Sequence, residues 1–149
     1  EWDPPRKDLS SEVQKDQAIR FPTGVLKPQE INLILNHLPV DITYIDKDDI
    51  VKYFSGSPER VFARPKTIIG RNVQNCHPPA SVHVVEKLVD DFKQGRKNSE
   101  SFWINMKDKY VYIRYFAVRD ENGTYMGTME VTQDIRPLQA IEGEKRLLS

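Results

Sequence analysis

Residues 110–136 read YVYIRYFAVRDENGTYMGTMEVTQDIR, and this stretch decides the fold. The run Tyr110–Arg119 predicts a strand whose two faces are both apolar. One face carries Val111, Ile113, Tyr115 and Ala117; the other carries Tyr110, Tyr112, Arg114, Phe116 and Val118. An antiparallel strand with one face in water alternates more cleanly, so both sides of this sheet are expected to be covered. Asp120-Glu121-Asn122-Gly123 then predicts a tight reversal, because asparagine-glycine tolerates the backbone such turns need. Tyr125–Asp134 forms the next strand, and Pro137 ends the sheet.

Upstream, Ser99–Met106 is a strand that folds back on Tyr110–Arg119 through the turn Lys107-Asp108-Lys109. Ala80–Gly95 gives the longest helical signal. Val82, Val85, Leu88, Val89 and Phe92 share one face, and Gly95 suits its C-terminal stop. Asp41–Asp46 and Ile50–Ser55 predict a hairpin about Lys47-Asp48-Asp49. Between hairpin and long helix, Ser57–Phe62 is expected to make a short helix, with serine as cap and proline in the first turn. Thr67–Val73 predicts a further turn broken by Gly70. Pro28 opens an amphipathic helix with Ile31, Ile34, Leu35 and Leu38. Residues 1–27 read as a linker or N-terminal extension with a short polar helix over Ser10–Ile19, residues 28–137 as one domain, and 138–149 as the start of a C-terminal helix. The order is ββ, short helices, helix, βββ, an α+β plan.

Composition agrees with one domain. The 149 residues are 38% hydrophobic and carry 22 basic and 22 acidic side chains. The cancelled charge argues against a nucleic-acid surface. No apolar run approaches the ~20 residues that span a bilayer. Cys76 is the only cysteine, which excludes an internal disulfide and a cysteine-based zinc cage. With Glu1 first and no signal-peptide pattern, a piece of a longer cytoplasmic protein is expected.

Several short motifs now fall into order: Asp46 closing a strand, Ile69-Gly70-Arg71-Asn72-Val73, His77-Pro78 before the long helix, and the ending Asp120-x-x-Gly123, Gly127, Asp134-Ile135-Arg136. Together they resemble a PAS domain over about residues 30–136. The stretches Val40–Asp46, Asn75–Pro79 and Ile113–Asp120 look like a bacterial subgroup whose PAS domain ends a protein carrying a hemerythrin-like (HHE) domain. The resemblance implies a five-stranded antiparallel sheet of order 2-1-5-4-3. It also implies short helices and one long helix on one face, flanking N- and C-terminal helices, a small ligand or cofactor between sheet and helices, and homodimerisation. A non-catalytic sensory module of signal transduction is the function implied. The alternatives are a ligandless homodimerisation or protein-interaction module, and a heme-based gas or redox sensor.

Candidate sites follow. By the resemblance, Val111, Ile113, Tyr115 and Ala117 face inward with Met126, Thr128, Glu130 and Thr132, while the long helix contributes Ser81, Val82, Val85 and Leu88. Glu130 is the sharpest of these. A carboxylate in a mostly apolar cavity needs a partner or a raised pKa, which makes it a natural specificity group; pairing with Arg114, or exposure through a register slip, is the competing reading. His77 is the candidate heme ligand, although the same histidine also serves simply as a helix boundary. Flavin chemistry is disfavoured, because Val73 stands where the light-sensor motif carries its reactive cysteine and Cys76 is out of register. Cys76, His77 and His83 lack a fourth ligand, so a metal is not expected. On the outer face Trp103, Tyr110, Tyr112, Arg114 and Phe116 suggest a dimer surface or a cover by the first helix through Ile34 and Leu35.

Overall fold

A computed structural model describes residues 17–57, 60–73 and 79–148. These fall into two compact units, residues 17–38 with 55–57, and residues 39–54 with 60–73 and 79–148.

In the first unit, β1 (Ile19–Phe21) and β2 (Gly24–Leu26) pair antiparallel, and α1 (Pro28–His37) follows. The hairpin lies where a connector was expected, and Ile19 belongs to a strand, not to the end of a polar helix. Residues 10–16 of that expected helix lie outside the described residues. Pro28 opens α1, where its missing N–H costs nothing, and Glu30 reaches back to accept from the Lys27 N–H at 2.9 Å. The Gly56 N–H donates to Asn36 Oδ1 at 2.7 Å, tying residues 55–57 to this helix.

The second unit is a five-stranded antiparallel sheet. Its strands are β3 (Asp41–Asp46), β4 (Val51–Phe54), β5 (Ser99–Met106), β6 (Lys109–Arg119) and β7 (Tyr125–Asp134), in spatial order β4-β3-β7-β6-β5. Counted within the sheet this is 2-1-5-4-3. Side-chain alternation sets the faces: Asp41, Thr43 and Ile45 of β3 share a face with Thr128, Glu130 and Thr132 of β7, their cross-strand partners. Across β6, Tyr115 stands opposite Glu130 and Ile113 opposite Thr132.

The helix α2 (Pro79–Lys93) lies on that face. Its apolar stripe repeats at three- and four-residue spacing, burying Leu88, Val89 and Phe92, and the Phe92 ring is 0% exposed. Gly95, at φ 75°, ends the helix in a left-handed conformation that glycine adopts without strain. The buried Asp91 carboxylate accepts from Arg96 Nε at 2.7 Å and fixes the exit. A short 3-10 helix, Lys66–Ile68, leads to Gly70, and the following segment bonds to the edge of β4 through Val51 N–H to Arg71 O and Val73 N–H to Asp49 O. Val73 thereby joins Ile45, Val51 and Val89 in the core.

Two expected helices differ. Residues 60–63 are not helical, and Pro58 and Glu59 lie outside the described residues. The C-terminal helix α3 is confined to Arg136–Gln139. Residues 140–148 continue without helix, and Gly143 sits at φ 63°, outside the helical region.

Candidate functional site

Sheet and α2 enclose a cavity of about 30 Å3, room for about two waters. Its walls are largely aliphatic: Ile45 and Val51 come from the hairpin, Ile68 and Val73 from the loop below it, and Val85, Leu88 and Val89 from α2. The polar side chains among them are Thr43, Arg64, Tyr115, Thr128 and Glu130.

Glu130 and Arg64 form the centre of this polar group. Arg64 Nη2 donates to Glu130 Oε1 at 3.0 Å, with the two side chains only 14% and 12% exposed. Thr132 Oγ1 donates to the same carboxylate oxygen at 3.1 Å, and the Tyr115 hydroxyl is bonded to Glu130 as well. Burial pushes the Tyr115 phenol well above its ordinary value, and the Glu130 carboxylate adds to the shift. The Tyr115 ring meets Phe102 edge-on at 6.0 Å, which fixes its plane.

Of the residues expected to line the cavity, Val85, Leu88, Tyr115, Thr128 and Glu130 are in its wall. Thr132 is buried beside it through its bond to Glu130. Val111 is fully buried at the far end of β6, and Ile113 is half-buried opposite Thr132. Ser81 and Val82 are half-buried on the first turns of α2 without lining the cavity. Met126 is a correction: it is 41% exposed. The β6–β7 register shifts between Val118 and Arg119, so Gly127 opposes Val118 while Tyr125 opposes Arg119. Met126 is the extra residue of a bulge, and strand parity no longer places it inward. The suggested Glu130–Arg114 pairing is also corrected: the cation facing Glu130 is Arg64, whereas Arg114 Nη2 donates to Gln133 on the opposite face.

Sequence reasoning missed Arg64 as well as Thr43, Ile45, Val51, Ile68, Val73 and Val89. Arg64 follows Ala63 and precedes Pro65 in a non-helical loop, where no periodicity marks the inward side. A lone arginine between proline-bounded segments was the sole signal available.

His83 is exposed on α2, and His37 Nδ1 donates to the Leu33 carbonyl oxygen at 2.7 Å near the end of α1. Cys76 and His77, the candidate heme ligand, lie outside the described residues. Among the described residues no group of three or more His, Cys, Asp or Glu side chains is placed to hold a metal, and no helix is long and apolar enough to cross a membrane.

On the outer face, the Arg114 guanidinium lies over the rings of Tyr112 and Phe116, 5.1 and 5.7 Å from their centroids. Trp103, on the edge strand β5, is 61% exposed. Tyr110 is half-buried at the start of β6, Ile34 is exposed on α1 and Leu35 half-buried. Asp134 explains the Asp-Ile-Arg ending: its Oδ1 accepts from the Arg136 and Tyr110 N–H groups at 3.1 and 3.0 Å, joining the end of β7 to β6. Those bonds hold its carboxyl below the usual range. Asp120 pins the turn, its Oδ1 accepting from Asn122 and Thr124 N–H at 2.9 Å each.

Comparison with known proteins places this geometry. A crystal structure of a C-terminal domain from Streptococcus mutans superposes with TM-score 0.81 at 37% identity, covering 86% of this chain and 99% of that one. The PAS domain of BvgS from Bordetella pertussis gives TM-score 0.55 at 16% identity over 74% and 89% of the two chains. A PAS domain from Colwellia psychrerythraea gives 0.52 at 16% over 73% and 97%. No curated protein matches the sequence. The family model described as "PAS domain" matches residues 31–136, most of the chain. With its 2-1-5-4-3 sheet and its helix-covered cavity, this chain belongs to the PAS domain family.

Proposed function

We propose that the domain is a non-catalytic sensory module that admits a small molecule between sheet and α2 and passes on its presence through a homodimer. The observation that carries this reading is the buried Arg64–Glu130 pair in the cavity wall. Glu130 belongs to the central strand β7 and Arg64 to the loop after β4. A molecule that bonds to either side chain therefore couples the loop to the sheet. A buried ion pair is not needed for stability, since apolar residues of similar volume serve as well. The outer face supports the dimer: an arginine held between aromatic rings, beside an exposed tryptophan, is the composition of interface anchors. A structural relative from Vibrio cholerae, VqmA, is described as a dimer, and another as a sensor histidine kinase. The hemerythrin-like neighbour in the full-length bacterial protein, and its cytoplasmic location, belong to the same proposal and rest on the sequence resemblance.

Native mass spectrometry with an absorption spectrum, on protein purified from its own host, tests the reading. A bound mass that survives gentle desolvation supports it, and a Soret band lost in His77→Ala would redirect it to heme. A bare-chain mass, with no spectral change on incubation in host extract, overturns it. The small cavity favours the second reading in that case, a ligandless dimerisation module.

A further inference from the structure

The polar atoms of the cavity narrow the chemistry of its guest, an inference that rests on the ligand reading above. Arg64 and Glu130 neutralise each other at 3.0 Å. The Tyr115 hydroxyl is engaged with Glu130, Thr128 Oγ1 with the Tyr125 hydroxyl at 2.7 Å, and Thr43 Oγ1 with Arg60 Nη2 at 3.4 Å. Arg64 Nε, by contrast, is buried and has no hydrogen-bond acceptor among the described residues. A buried donor left unmatched is costly, and a guest that supplies an acceptor removes that cost. The surrounding wall of Ile45, Val51, Val85 and Leu88 offers only apolar contact.

We propose that the cavity selects a small neutral molecule with one hydrogen-bond acceptor on an apolar body, a carbonyl compound of the ketone or amide kind, and rejects the matching carboxylate. Charge decides between the two. The wall balances Arg64 against Glu130, and Arg60 beside it is balanced by Asp41, so a neutral carbonyl satisfies Arg64 Nε and leaves the balance intact. A carboxylate would add a second negative charge beside Glu130 in a site of low dielectric, where like charges repel strongly. The unmatched donor equally disfavours a guest that is wholly apolar.

Acetone, acetate and isobutene share one planar skeleton of the same size and differ in charge and polarity alone, so they separate these cases. Each is titrated into the full chain, acetone and acetate through the millimolar range expected of so small a ligand and isobutene to saturation. Binding is read from the Arg64 Nε–Hε correlation and the Val85 and Leu88 methyl signals in NMR spectra at pH 7. The expected result is saturable acetone binding that moves both sets of signals, with acetate weaker by on the order of tenfold or more. Acetate binding as well as acetone, or acetone moving the methyls but not Arg64 Nε, overturns the assignment of class. Isobutene entering where acetone does not overturns the class too but leaves the ligand cavity standing. If all three leave the spectrum unchanged, the ligand reading falls with it.

Discussion

Arg64 and Glu130, 66 positions apart in the chain, meet at 3.0 Å in a site where neither side chain is more than 14% exposed. Thr132 and Tyr115 complete the ring of donors on Glu130. The carboxylate therefore has its hydrogen-bonding capacity met on three sides, and this satisfies the condition under which a charge can be buried.

Arg64→Met or Glu130→Gln alone strands a charge in the cavity wall and should cost about 3–5 kcal/mol. The double variant Arg64→Met/Glu130→Leu removes both charges and should recover most of the loss. Urea denaturation of the three variants and the parent closes a thermodynamic cycle. Additive losses in the double variant would show that the two residues do not depend on each other.

Tyr115 sets the behaviour at high pH. Its phenol is held above the ordinary value near 10 by burial and by Glu130, so the folded state keeps the proton where the unfolded chain releases it. Between pH 10 and the folded pKa the native state binds more protons, and stability falls as pH rises. Below pH 10 the contribution is fully present. Tyr115→Phe should flatten that alkaline decline while losing the bond to Glu130, about 1–2 kcal/mol at neutral pH. Thermal unfolding at pH 8 and at pH 11 measures both, and an equally steep decline in the variant would refute the assignment.

The sheet was legible in the sequence because turn residues bound its strands and the order of short motifs resembles that of a PAS domain. Glu130's inward place on β7 was implied by that resemblance, and it lines the cavity. Its partner did not follow. Arg64 comes from a loop with no period, and a contact across 66 positions depends on how the whole loop is folded. Met126 failed for a local reason: a single extra residue at the bulge reverses parity for everything on its N-terminal side. The hairpin β1–β2 was hidden because its strands are short and mostly exposed, leaving Pro22-Thr23-Gly24 as its signal.

At Gly127 the backbones of β3 and β7 approach closely. A Cβ there would run into the Ile45 carbonyl oxygen and stand 2.5 Å from Tyr44 Oη. The carbonyl is part of the central ladder and has nowhere to move. Gly127→Ala should therefore cost about 3 kcal/mol or more, with loss of the Tyr44 hydroxyl bond to Met126 O. Calorimetry against Gly24→Ala, a position with open space around it, gives the comparison. Equal melting temperatures would contradict the packing described.

Arg114 tests the proposed dimer. Its stem and guanidinium fill the space between Tyr112 and Phe116, and its Nε is buried without an acceptor among the described residues. A second copy laid on this face would cover the rings and the exposed Trp103 beside them. Arg114→Glu inverts the charge and should weaken self-association by about 2–5 kcal/mol, turning a dimer into a monomer at micromolar concentration. Arg114→Met keeps the apolar stem and should fall between the two. Sedimentation velocity of the three proteins reads the outcome directly, with circular dichroism to establish that each is folded. A folded Arg114→Glu variant that sediments as the parent does would remove this face from the interface.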